Sequence, residues 1–206
     1  MNNSSDPELS YLRTIFPQAD EPGAALPNIN LRQLRQIAVA TLPPTPQELS
    51  QCIIAHHQFL NSGGAGGSWK TLLVNGLVLG FYSGAEGRRG KQASFEHRCL
   101  TGLTGLAGQQ LPYANCCGTL AEGLDATAAD LSYCLFSDAW LPKATFDEAL
   151  LRQSDFSRAH LVGASFAGAD LRRADFENCD LRGADFSGAL LAGARFPGAN
   201  LEGVKY

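Results

Sequence analysis

From Ala129 to Gly203 the apolar positions of this chain recur every five residues without a break. In that register the stretch from Ala159 reads AHLVG, ASFAG, ADLRR, ADFEN, CDLRG, ADFSG, ALLAG, ARFPG, ANLEG. A small residue opens each block, a Leu or Phe stands third, and polar residues fill most other places. A five-residue period suits neither helical spacing nor strand alternation. Strict self-similarity at a short fixed period is instead the mark of a solenoid.

A second period lies inside the first. The central residues run Leu131, Phe136, Leu141, Phe146, Leu151, Phe156, Leu161, Phe166, Leu171, Phe176, Leu181, Phe186, Leu191, Phe196, Leu201, alternating throughout. Four blocks to a coil would stack Phe on Phe and Leu on Leu twenty residues apart. One column is then Phe146, Phe166 and Phe186, closing with Tyr206, and the opposite one is Phe136, Phe156, Phe176 and Phe196. Two bulky and two smaller sides suit a closely packed bore.

The blocks ADLRR, ADFEN, CDLRG, ADFSG and ANLEG resemble the motif A-[DN]-[LF]-x-x of the pentapeptide-repeat family. The resemblance covers about half the chain. It implies a mainly-β fold, a right-handed quadrilateral β-helix of about five coils. It implies no single function, since the family includes quinolone-resistance proteins that bind DNA gyrase, secreted effectors and many uncharacterised members.

Reading backward in register gives LDATA, TLAEG, ANCCG, QQLPY and TGLAG, which places the start of the solenoid at Thr104 and its extent at 104–206. Residues 1–28 read as an irregular lead-in. Residues 29–103 read as a small α+β unit sealing the N-terminal end, where an open coil would be an unpaired edge. Leu31, Leu34, Ile37 and Ala38 predict a helix over 29–42. Thr45-Pro46-Gln47-Glu48 is a capping box that starts a second helix, with Leu49, Cys52, Ile53, His56 and Leu60 on one face. Asn75-Gly76 between TLLV and LVLGFY predicts a β-hairpin. A loop over Gly84–Gly90, with Arg88 and Arg89, then leads into SFEHRCL.

Charge changes the picture modestly. Residues 104–206 hold thirteen Asp and Glu against eight Lys and Arg, in a chain of formal net charge −4. Asp170, Asp175, Asp180 and Asp185 precede four successive central residues, one on each side of a coil, and Asp155 stands in the same place one coil earlier. These carboxylates are a candidate interaction surface, although Arg172, Arg173 and Arg182 lie beside them. Leu120, Leu135, Trp140, Leu150 and Leu190 hold nominally outward places. Trp140 with Leu120 is a second candidate surface, or is covered by the chain's own N-terminal helices.

Little else points to chemistry. GAGGSWKT (64–71) resembles a phosphate-binding loop, but Trp69 replaces the Gly before Lys70, and a predicted strand rather than a helix follows. Six cysteines include no C-x-x-C pair, and three of them already fill packing places. His56 and His57 lack a carboxylate partner at ligand spacing. No catalytic, metal or cofactor set is expected, so an enzyme is not.

We therefore expect a non-enzymatic protein-binding or scaffold module, cytoplasmic because no signal peptide or long apolar span is seen. The alternatives are a DNA mimic directed at a type II topoisomerase and a small-ligand role for the N-terminal unit. An acidic solenoid gives no basis for direct nucleic-acid or membrane binding. Leu191, Phe196 and Leu201, uncovered in the last coil, suggest weak homodimerisation through that end.

Overall fold

The computed structural model describes residues 43–64, 68–74, 77–83, 92–96 and 98–206. The expected helix over 29–42, the lead-in and the loop Gly84–Gly90 lie outside the described residues.

Helix α1 spans Pro46–Phe59. Its capping box is complete: the Thr45 hydroxyl accepts from the Glu48 N–H at 3.2 Å, and the Glu48 carboxylate accepts from the Thr45 N–H at 2.7 Å. Two otherwise orphaned donors are thus satisfied at the helix start. The helix ends in a single π turn, Leu60–Gly64. Leu49, His56 and Phe59 are its buried residues. Phe59 was not placed on that face by the sequence pattern, which chose Leu60. Strand β1 (Ser68–Val74) pairs antiparallel with β2 (Leu77–Ser83), Val74 opposite Leu77. Two residues connect the strands, as the Asn75-Gly76 signal requires.

The remainder is a mainly-β repeat fold. Isolated parallel bridges join residues twenty apart in four ladders: Gln110–Asp130–Leu150–Asp170–Leu190, Asn115–Leu135–Asp155–Asp175–Arg195, Leu120–Trp140–His160–Asp180–Asn200, and Asp125–Thr145–Ser165–Asp185–Lys205. We name these sides after Leu150, Asp155, Trp140 and Asp185. The coil of four blocks read from the Leu/Phe alternation is the coil that forms.

The ladders reach further toward the N-terminus than the sequence register did. Ser94 bridges Asn115 and Cys99 bridges Leu120, each across twenty-one residues. Phe95 and Leu100 stand at the central places of those blocks, 2 % and 1 % exposed. The coil therefore starts at Ala93, ahead of Thr104, and 93–103 is part of it. One inserted residue, Leu103, separates the two frames. A five-residue count carried backward loses register there.

Inside, Phe136, Phe146, Phe156, Phe166, Phe176 and Phe186 are at most 2 % exposed. Rings one coil apart stack at about 5 Å, Phe156 on Phe176 at 5.0 Å for example, and the two columns meet edge to face at 5.8 Å. Both geometries suit the aromatic quadrupole. Phe196 continues its column at 5.0 Å from Phe176. Tyr206 lies over Phe186 at 6.3 Å but is 72 % exposed, a loose cover. Toward the N-terminus the central places shrink to Cys116, Ala121 and Ala126. Leu124 turns inward there, 3 % exposed, and a void of about 10 Å³ with a largely apolar lining remains.

Helix α1 packs on the first coil. Leu49 joins the same buried cluster as Phe95, Leu100 and Leu106, with Cys52 and Ile53 against it. The His56 Nδ1 accepts from the Ala93 N–H at 2.9 Å, tying the helix to the first block.

Candidate interaction faces

A count of backbone donors shows what the outward places are for. Number a block by its ladder residue, such as Asp130. The next N–H (Leu131) bonds the coil ahead, the one three residues on (Tyr133) does likewise, and those of Cys134 and Leu135 bond within the turn and the coil behind. Only the N–H two residues on, Ser132, has no backbone acceptor, and the Asp130 carboxylate takes it at 3.0 Å. The same bond recurs from Thr127 to Asp125, Ser157 to Asp155, Glu177 to Asp175, Ser187 to Asp185 and Glu202 to Asn200. Where the ladder residue is Gln110, Trp140 or Arg195, the residue two on is Pro112, Pro142 or Pro197, which has no N–H. Asp, Asn and Pro are thus alternative answers to one turn N–H that the backbone leaves without an acceptor.

The five aspartates singled out from the sequence do stand outward, on all four sides, yet their charges are engaged. Asp170 is 5 % exposed and shared between Arg172, at 2.7 and 2.8 Å, and Arg152, at 2.5 Å. The Arg172 guanidinium, helped by Arg152, holds its carboxyl well below the usual carboxylate range. Asp180 takes Arg182 in a two-pronged pair at 2.7 and 2.9 Å, with His160 Nδ1 at 3.4 Å. Asp175 meets Arg195 at 3.2 Å and Asp185 meets Lys205 at 3.8 Å. Asp155 accepts from the Ser137 hydroxyl at 2.9 Å. The sequence identified Arg172 and Arg182 as neighbours of these acids. It missed Arg152, Arg195 and His160, whose offsets of eighteen to twenty residues become readable only once the coil length is known.

The apolar outward residues divide into two groups. Leu120 and Leu135 are 5 % and 1 % exposed. Leu120 bridges Cys99 on one side and Trp140 on the other, and the Trp140 ring stacks on His160 at 4.0 Å. Leu150 and Leu190 remain 37 % and 53 % exposed.

The reactive side chains are held in packing roles. All six cysteines are free thiols and all but Cys52 are buried. Cys134 donates to the Leu111 carbonyl and Cys179 to that of Phe156, and burial pushes the Cys179 thiol up to about 12. Lys70 and Thr71 lie within β1, an antiparallel strand, where a phosphate loop requires a helix start. Among the described residues no cluster of His, Cys, Asp or Glu could hold a metal ion, and no helix is long and apolar enough to cross a membrane.

Coils of twenty residues, each built of four five-residue blocks with a small inward residue and a Leu or Phe core, define a stacked-coil β-repeat protein. Residues 129–168, 141–178 and 169–205 match the family described as pentapeptide repeats, in 8 copies. Residues 129–205 of this chain thus carry pentapeptide repeats. Among solved structures the chain is similar to HetL, a pentapeptide repeat protein involved in heterocyst differentiation regulation in the cyanobacterium Nostoc sp. strain PCC 7120. That pair is 34% identical with a TM-score of 0.53, over 55% of this chain and 53% of HetL. Rfr23 from the cyanobacterium Cyanothece 51142 is 27% identical, TM-score 0.40, over 48% of this chain and 64% of Rfr23. QnrB1, a plasmid-mediated fluoroquinolone resistance protein, is 22% identical, TM-score 0.42, over 52% of this chain and 54% of QnrB1. The chain thus spans a little over half the length of HetL. No curated protein sequence matches it.

Proposed function

We propose that this chain is a non-enzymatic protein-binding module: a right-handed four-sided solenoid, closed at its N-terminal end by α1 and the hairpin, that presents its outward residues to a partner. One observation carries this reading. The inward and turn positions are fixed by packing and donor satisfaction, while the outward positions differ from side to side on an invariant frame. A rigid frame with a varied face is suited to recognition, since little ordering entropy is lost on binding. The contacts of Leu49 and His56 with the first coil support the capping role.

The test is partner enrichment from the native host, comparing the chain with a variant whose exposed outward residues are permuted and whose core is untouched. A partner retained by the chain and lost by the permuted variant is the expected result. Identical enrichment by both would remove the reading.

A topoisomerase-directed DNA mimic is the competing reading, and its support is the surplus of carboxylates on the Asp155 and Asp185 sides. The ion pairs Asp138–Arg158, Asp175–Arg195 and Asp185–Lys205 dilute that field. Inhibition of gyrase supercoiling by the purified chain would favour it over a general binding module.

A further inference from the structure

The Leu150 side breaks the block rule with exposed leucines, whereas Thr145 and His160, which also leave the N–H two residues on without an acceptor among the described residues, carry polar side chains. Leu150 and Leu190 occupy places where Asp or Asn would accept the N–H two residues on, and neither is followed there by proline. The N–H groups of Arg152 and Ala192 have no acceptor among the described residues. Leu120 and Leu135 make the same exchange but are buried, which offsets it. Leu150 and Leu190 are not, so both blocks lose a turn hydrogen bond and set a leucine in water. Departures from a local rule with no compensating gain concentrate at functional sites.

The same side differs in charge. Within residues 104–206, its ladder and following corner hold Arg152, Arg172 and Arg173 against Asp130 and Asp170, whereas each other side carries more carboxylates than Lys and Arg. Asp170 is buried beneath two of these arginines, and Arg173 has no carboxylate partner among the described residues. Tyr133, 38 % exposed, stands at the same corner. Leu150 and Leu190 lie two coils apart, about 10 Å. That matches two residues seven apart on an α-helix, about 10.5 Å.

We infer that the Leu150 side docks an acidic amphipathic helix of a partner protein, with its apolar stripe across Leu150 and Leu190 and its carboxylates on Arg152, Arg172 and Arg173. This rests on the binding-module reading and names the surface and the class of partner. Apolar contact supplies the attraction, and the cationic edge selects an acidic helix over the neutral or basic ones.

The experiment is a methyl-NMR titration of the full chain with a synthetic helical peptide carrying leucines seven apart on a glutamate-rich background. Saturable shifts at the Leu150 and Leu190 methyls are expected. The variant L150N/L190N supplies the missing turn acceptors, so it should melt no lower than the wild type while binding the peptide at least tenfold more weakly. Arg173→Glu should weaken binding several-fold, and a peptide with lysine in place of glutamate should not bind. No saturable shift, or equal binding by L150N/L190N, overturns the docking face. Partner enrichment through the outward residues is read separately and would survive that outcome.

Discussion

The last residue of each block from Gly108 to Gly203 sits at φ between about +55° and +76°, the left-handed region. Ten of these positions are glycine and ten are not, among them Gln153, Arg173 and Asn178. An L side chain there costs roughly 1 kcal/mol. Gly183 has φ +67° and nothing within 4 Å of where a Cβ would sit. Gly183→Ala should therefore lower stability by about 1 kcal/mol through backbone strain alone. Gln153→Gly should raise it by up to about the same amount, because its φ of +55° suits glycine. Chemical denaturation of both variants measures the pair. Equal and negligible shifts would mean that the corners relax out of the left-handed region.

Among the elements, the two aromatic columns run through the buried core beside the leucine columns. Phe166 is fully buried, stacked between Phe146 and Phe186 and edge-on to Phe156 and Phe176. Phe166→Ala should cost about 3–5 kcal/mol, the transfer term plus a cavity that rigid coils cannot close. Calorimetry reads this directly, and a cost under about 1 kcal/mol would deny the column its role. Helix α1 has a different signature. Burial pushes His56 down to about 4, against its ordinary 6.5, although the Pro112 carbonyl nearby acts the other way. Its Nδ1 must stay unprotonated to accept from Ala93. The folded value is the lower one, so its contribution is complete above pH 6.5. That contribution is lost as pH falls from 6.5 to 4, by up to about 3 kcal/mol. The unfolding free energy of His56→Gln should lack this slope when measured across the same range. Parallel slopes would place His56 elsewhere.

These elements were not equally legible in the sequence. The coil length followed from the Leu/Phe alternation, because side chains in a narrow bore must meet their like. The α1 start and the hairpin followed from local capping and turn chemistry. The first coil was hidden because Leu103 shifts the frame, leaving Phe95 and Leu100 in central places that a five-residue count misses. The acidic row was visible, but its purpose was not. Which residue closes on Asp170 depends on Arg152, eighteen positions back, and only the stacked coil brings the two together.

For the molecule as a whole, the question is whether its carboxylates belong to the frame or to a partner surface. Each of Asp155, Asp175, Asp180 and Asp185 offers an acceptor to the N–H two residues on, a bond worth about 1 kcal/mol. Asparagine keeps that acceptor and removes the charge, whereas alanine removes both. The most direct measurement is the unfolding free energy of two fourfold variants, all-Asn and all-Ala, beside the wild type. Structural carboxylates predict a loss of about 4 kcal/mol for the all-Ala chain, and less than half of that for all-Asn, which forfeits only partly exposed ion pairs. If both variants unfold with the stability of the wild type, the aspartates do no work in the frame, and the acidic row would have to be explained by what binds it.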